Sequence, residues 1–473
     1  MELPMRIGGA EVRTAVPIPV ELPFDGSPVA TVFRAGAAEV NAAVEAAVQA
    51  GAAMREMTRD ERSAILRRAH AMVLDRRAAL ATAVMSECGK PIREARTEVD
   101  RAAQTLLFSS EEAHRLTGEV VPMDASPSGK GRWAITVREP VGVIAAITPF
   151  NFPLNLAMHK IGPALAGGNT VVHKPASTTP VSGLMMAGIF AECGLPDGAL
   201  NVVTGPGGEI GDALVFHPAV KMVTFTGSAE VGLRIRNLAG LKRVTLELGN
   251  NSAVIIEQDA NLDEAVPRCV AGSFAHSGQV CISVQRILVH HKIRDEFLDR
   301  LIAGTRKLVM GHPDQDATDI SSLISVSEAE RVEHWLQEAV NAGARLLTGG
   351  KRRRASVEPA VLADVPDTAK LSCREAFGPV VGVNSYQDLD EAIASVNASD
   401  YGLQAGIYTK DLEKAFRAAQ RVHVGGFLIN EVPQYRVDQM PYGGVKMSGN
   451  GREGPKYAIE EMTEPKLISW KVG

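Results

Sequence analysis

The run Val141-Gly-Val-Ile-Ala-Ala-Ile147 decides the fold class. It is apolar throughout, as a strand buried on both faces of a parallel sheet must be. A loop and a helix through Leu165 follow, and then the next strand, Asn169-Thr-Val-Val-His173. The next helix spans about Pro180 to Cys193, with Gly194 and Pro196 as its stop signals. Asn201-Val-Val203, a helix after Gly208, Met222-Val-Thr-Phe225 and a helix after Ser228 keep the rhythm. Strand alternating with helix predicts a doubly wound parallel sheet, which binds ligands at the carboxyl ends of its strands.

On the N-terminal side, the Pro-rich stretch to Pro23 reads as strands and turns, and Ala37 to Met57 reads as a helix. Thr58, with Glu61 three residues on, forms a capping box for a helical region that closes near Cys88, before Gly89 and Pro91. A further helix covers Ile92 to Leu116. Gly118 to Arg138 changes character: turn residues separate short runs such as Trp133-Ala-Ile-Thr-Val137, so extended strands leaving the main body are expected. After Leu248 the alternation restarts, from Ser252-Ala-Val-Ile-Ile256 to about Phe427. The last stretch, Ile459 to Trp470, is expected to pair with the Gly118–Arg138 excursion.

At 473 residues the chain is too long for one core. A net charge of −5 gives no footprint for nucleic acid, and no run is apolar enough to span a bilayer. Met1 to Ala10 lacks the apolar centre of a signal peptide, and five scattered cysteines are no disulfide framework, so a cytoplasmic protein is expected.

Three features carry candidate chemistry. Cys281, in Gly278-Gln-Val-Cys281, follows a helix from Leu262 to His276 and is a nucleophile if its thiol is activated and open; Cys88, Cys193, Cys269 and Cys373 read as structural. Phe225-Thr-Gly-Ser228 turns from a strand into a helix, where backbone donors suit a pyrophosphate. Gly205-Pro-Gly207-Gly208-Glu-Ile-Gly211 is glycine-rich but misses the G-x-G-x-x-G spacing. Glu247 closes a strand where a carboxylate would serve as general base. Each has an ordinary alternative: inert cysteine, helix cap, surface acid.

Seven motifs in order change that balance: Pro149-Phe-Asn151-Phe-Pro153, Gly168-Asn-Thr-Val-Val-His-Lys174-Pro175, Phe225-Thr-Gly-Ser228, Glu247-Leu-Gly249, Gly278-Gln-Val-Cys281, Glu375-Ala-Phe377-Gly-Pro379 and Pro441-Tyr-Gly-Gly444. Together they resemble the aldehyde dehydrogenase superfamily over nearly the whole chain. The resemblance implies an α/β fold with a Rossmann-like cofactor domain (1–117 and 139–248), an α/β catalytic domain (249–445) and a small β oligomerisation element (118–138 and 446–473). It implies Cys281 as nucleophile, Asn151 with the Cys281 backbone N–H as oxyanion donors, and Glu247 as the base that hydrolyses the thioester. NAD or NADP would meet Thr148, Phe150, Lys174, Ser177, Gly207, Gly211, Phe225, Gly227, Ser228, Leu248, Glu375 and Phe377. Ser177 stands where many NAD-preferring relatives carry a glutamate, so NADP is permitted. No metal is expected. The usual Glu-Leu-Gly-Gly-Lys is replaced by Glu247-Leu-Gly-Asn250-Asn251.

The same resemblance places Phe152, His159, Val280, Arg436 and Tyr442 at the substrate. A histidine and an arginine suit a small polar or anionic aldehyde, as in the lactaldehyde, succinate-semialdehyde and phosphonoacetaldehyde branches. A homodimer or homotetramer is implied, with no nucleic-acid or membrane partner. Two alternatives are a CoA-acylating semialdehyde dehydrogenase, which Glu247 argues against, and a non-catalytic, crystallin-like binding protein of the same fold.

Overall fold

Two largely parallel sheets, linked by Leu248–Ser252, carry the chain in a computed structural model that describes residues 1–472. The first has eight strands, in the order Ala10–Val12, Met5–Ile7, Leu200–Val202, Thr170–Lys174, Val143–Ile147, Val220–Thr226, Arg243–Glu247 and Gly449–Asn450. Its five central strands are parallel, and the outer ones are antiparallel. The chain moves outward from Val143–Ile147 through two neighbours, then returns to lay Val220–Thr226 on the other side. The strand order therefore reverses between Val143–Ile147 and Val220–Thr226, which opens a crevice above their carboxyl ends.

Val143–Ile147 and Thr170–Lys174 are buried along their whole length; this explains the unbroken apolar run of the first, while the polar His173 and Lys174 of the second find partners in the Thr148 hydroxyl and the Pro175 carbonyl. Each Val or Ile so buried contributes roughly 1.5–3 kcal/mol. The helix Asn155–Ala166, directly after the crevice loop, is buried at every residue. Its sequence consequently shows no amphipathic stripe.

The second sheet has seven strands, in the order Arg345–Thr348, Ala360–Ala363, Val380–Tyr386, Arg286–His290, Ala253–Ile256, Gln404–Tyr408 and Gly426–Ile429. Glu247 ends a strand of the first sheet and Ala253 begins one of the second. The carboxyl edge of the one thus meets the amino edge of the other. A third sheet joins Thr463–Lys471 to Arg132–Pro140 in a nine-pair antiparallel ladder, with Val120–Val121 beyond. Gly449–Asn450, expected with this outer element, instead edges the first sheet beside Glu247.

Thr58 and Glu61 form the reciprocal cap: Glu61 N donates to Thr58 Oγ1 at 3.2 Å, and Thr58 N to Glu61 Oε2 at 2.7 Å. The helical region they open is two helices, Arg59–Asp75 and Arg77–Cys88. Arg76 leaves the helical geometry between them, and its guanidinium donates to Glu192 at 2.9 Å. Among the described residues no helix is long and apolar enough to cross a membrane.

Candidate active site

Cys281 is placed by a turn that few sequences can make. The helix Leu262–Phe274 runs into His276, Ser277 and Gly278, all left-handed, at φ 47°, 56° and 73°. A Cβ on Gly278 would lie 2.0 Å from the Gly378 carbonyl oxygen, so only glycine fits. The turn carries Gln279 to the crevice loop, where Asn151 Nδ2 donates to the Gln279 carbonyl at 2.8 Å. Cys281 is half-buried, and its Sγ lies 2.7 Å from the Tyr442 hydroxyl. Burial pushes the thiol up to about 12, against the opposing pull of the Tyr442 bond and the Arg436 charge. Phe152, Val280 and Tyr442 pack around it. Cys88, Cys193 and Cys269 are buried and Cys373 is exposed.

Glu247 is 2% exposed, and neither carboxylate oxygen has a hydrogen-bond partner. A Cβ at Gly443 would come within 2.8 Å of its Oε1, so the glycine after Tyr442 leaves room for this carboxylate. Burial raises its pKa well above the usual range, and the nearby Glu453 charge adds to that. Glu453 is equally buried but accepts from Lys160 Nζ at 2.8 Å and Arg436 Nη2 at 3.1 Å. Burial opposes its charge, yet these cations win and hold its pKa below the normal value.

The Arg436 guanidinium carbon lies over the Tyr442 ring, 3.6 Å from its centroid, and Arg436 Nε is buried with no partner. His159 does not line an open tunnel. It is wholly buried behind Arg436, with Nε2 3.1 Å from Arg436 Nη2 and 3.0 Å from Asp438 Oδ1. Burial, then the Arg436 charge, lowers its pKa, so the ring supports the arginine as a neutral group. Asp438 also accepts from Arg101 at 2.8 and 3.2 Å. The Arg101 guanidinium lies 5.9 Å from the Phe152 ring and, at 26% exposure, opens outward. Lys90, ion-paired to Glu98, lies 3.7 Å over the same ring. Sequence reasoning missed Arg101, Lys160, Asp438 and Glu453. Two weak signals existed: Lys160 is a cation in a wholly buried helix, and Glu453 sits in Gly451-Arg-Glu-Gly454.

Across the crevice the wall is mostly main chain. Ser228 caps the helix Ala229–Leu238, accepting from Val231 N at 3.4 Å and leaving the first backbone donors free. Gly227 lies so close to the Phe225 ring that a Cβ would stand 2.4 Å away. Gly207 to Gly211 form one wide helical turn, and a Cβ on Gly207 meets nothing within 4 Å. Ser177 Oγ donates to the Gly205 carbonyl at 2.8 Å. Lys174 Nζ donates to the Pro175 carbonyl at 2.9 Å, and burial brings its pKa down to about 8. Phe150 and Phe377 meet edge to face at 5.7 Å. Glu375 accepts from Asn250 N at 2.9 Å, and burial raises it to about 7. Two expected contacts are turned elsewhere. The Thr148 hydroxyl is 2.9 Å from His173 Nε2, and the Leu248 side chain packs against Gly232, so each offers the crevice only its main chain.

A crevice that gathers free helix-terminal donors, a thiol, an amide and an unpartnered carboxylate matches known proteins. The family model described as "Aldehyde dehydrogenase family" covers residues 11–468. A 3-sulfolactaldehyde dehydrogenase of Priestia megaterium is 49% identical over 462 residues, 98% of this chain and 96% of the relative. Aldehyde dehydrogenase 21 of Physcomitrella patens, solved with its reaction product succinate, superposes at TM-score 0.97 with 39% identity, covering 100% of this chain and 98% of that one. The NADP-dependent glyceraldehyde-3-phosphate dehydrogenase of Bacillus halodurans C-125, solved with NADP, superposes at 0.98 with 35% identity and covers both chains fully. The chain belongs to the aldehyde dehydrogenase family, with its fold, and is an NAD(P)-dependent oxidoreductase of small aldehydes.

Proposed function

We propose that the protein oxidises a small anionic aldehyde to its carboxylate through a thioester on Cys281. Cys281 attacks the aldehyde carbon as thiolate, and the Asn151 amide and the Cys281 N–H receive the oxyanion. Donors preset where charge develops are each worth about 10²–10³ in turnover. The nicotinamide, when bound, supplies the hydride acceptor that turns the thiohemiacetal into a thioester. Glu247 then takes a proton from the water that attacks the thioester carbonyl. The observation that carries this reading is Glu247 itself, a buried carboxylate without a partner, across Gly443 from the tyrosine that touches Cys281. A base of this kind favours water over coenzyme A as the acyl acceptor.

The substrate's anion would meet Arg436, whose Nε is free, and Arg101 at the outer side of Phe152. The names of the three relatives agree in chemistry: sulfolactaldehyde, succinate and glyceraldehyde 3-phosphate all carry an anion on a short chain. The cofactor would lie across Gly207–Gly211 and Gly227–Ser228, with Lys174 and Ser177 at its ribose and Glu375 and Phe377 toward the nicotinamide. No carboxylate stands at 177, so a 2′-phosphate is tolerated. Five unpaired cysteines fit a reducing compartment, the cytoplasm.

We also read 1–117 with 139–248 as the cofactor domain and 249–445 as the catalytic domain. The outer strands would self-associate, since Trp133, Leu467, Ile468 and Trp470 are exposed on them; sedimentation as a monomer would refute this. The function is tested with 3-sulfolactaldehyde, succinate semialdehyde, glyceraldehyde 3-phosphate, lactaldehyde and propanal. NAD(P)H formation is followed with and without coenzyme A, with Cys281→Ala as the control. Turnover with the anionic aldehydes, abolished in the variant and indifferent to coenzyme A, is expected. A preference for propanal would remove the anion from the reading.

A further inference from the structure

The Cys281 pocket poses a problem that the reaction scheme leaves open: what makes a thiolate there. Burial alone works against the charged sulfur. Among the described residues, the one side chain bonded to Sγ is Tyr442, at 2.7 Å; no histidine or lysine bonds to it. The charged groups that bear on the sulfur are Arg436, Glu375 and Glu247, and those that bear on the phenol are Arg436 and Glu247. The two carboxylates disfavour a second negative charge, so the favourable contribution comes through Tyr442 and Arg436.

We propose that Tyr442 is a catalytic residue whose phenol donates its hydrogen bond to the Cys281 thiolate, with Arg436 on the ring face polarising that donor. This rests on Cys281 being the nucleophile. The direction of donation follows from ordinary acidities, because a thiol near 8.5 ionises before a phenol near 10. Burial and the adjacent sulfur charge both push the phenol's own ionisation further up, so it keeps its proton. A guanidinium 3.6 Å from the ring centroid draws on the π-face and strengthens the O–H as donor. A hydrogen bond to an ionised acceptor is about twice as strong as a neutral one. In the step itself the thiol proton leaves to a solvent base and the phenol keeps its own. The sulfur lone pair then forms the S–C bond, which ends the thiolate and weakens the hydrogen bond. The contact therefore serves the free nucleophile more than the adduct.

The test follows alkylation of Cys281 by iodoacetamide, a neutral reagent, as a function of pH in the full-length enzyme, with the labelled residue located by mass spectrometry. In Tyr442→Phe the midpoint of the rate profile is expected to rise by about one to two units, and the rate below both midpoints to fall about 10–100-fold. Cofactor affinity should hold. An unmoved midpoint would make Tyr442 a wall of the pocket and nothing more. If Tyr442→Phe does not fold, the enzyme made with 3-fluorotyrosine carries more acidic phenols and stronger donors. Its midpoint should move down, and an unchanged midpoint overturns the proposal. Turnover surviving in Cys281→Ala would instead break the nucleophile assignment, whatever the tyrosine does.

Discussion

The two walls of the crevice are built from different materials. The wall of Gly207–Gly211 and Gly227–Ser228 offers backbone, one hydroxyl cap and, at Gly207, open space where a Cβ would stand. The other wall, tied to the strand Val220–Thr226 through Lys160 and Thr224, is a buried lattice of charge: Glu453 with Lys160 and Arg436, and Asp438 with Arg101 and His159. Backbone donors are fixed by secondary structure, so they bind a phosphate with little cost of side-chain ordering. Buried side-chain charges must be matched to one another before they can be offered to a ligand. On the proposed function, the first wall would accept what many cofactor-binding proteins accept, and the other would be particular to its substrate.

The sharpest way to break this contrast is to treat the two buried carboxylates alike. Glu247→Gln should cut steady turnover by about 10²–10⁴-fold, as for a lost general base, while the first-turnover burst of NAD(P)H remains. Its melting temperature should hold or rise, because a buried carboxylate with no partner has gone. Glu453→Gln should do the reverse and cost about 3–5 kcal/mol of stability, since Lys160 and Arg436 lose their counter-charge. Their pH signatures differ too. Glu247 works deprotonated and its pKa is raised, so the acid limb of turnover should lie above the ordinary carboxylate range. Glu453 has a lowered folded-state pKa, so its stabilisation is complete above 4.5 and is lost as the pH falls toward about 2. Denaturant melts at several pH values, beside a kcat profile, separate the two.

A smaller effect tests the other wall. Ser177→Glu should weaken NADP relative to NAD by at least about tenfold, with no change in melting, because it sets a like charge near a 2′-phosphate. Equal losses for both cofactors in a binding titration would mean that Ser177 does not face the ribose.

The contrast also explains what was legible beforehand. Val141–Ile147 announces a buried parallel strand, and Phe225-Thr-Gly-Ser228 announces a strand turning into a capped helix, because neighbouring residues determine both. Arg101, His159, Asp438 and Glu453 meet across separations of up to 337 residues, and nothing local marks them as partners. The side-chain partners of Thr148 and His159 are hidden for the same reason. Their neighbours in sequence face the crevice, but their own side chains are taken by His173 and by Asp438 with Arg436.

The short strand Gly449–Asn450 has a consequence in time. It closes the edge of the strand that ends in Glu247, and Asn450 Oδ1 accepts from Leu246 N across 204 residues of chain. At about 5–20 residues per second, roughly 10–40 s separate the emergence of the two from a ribosome. Through that interval the strand carrying the base is an open edge, and Gly443 and Glu453 are still unmade. The nascent chain can assemble the backbone wall of its crevice early, but the strand that ends in Glu247 waits for this last stitch.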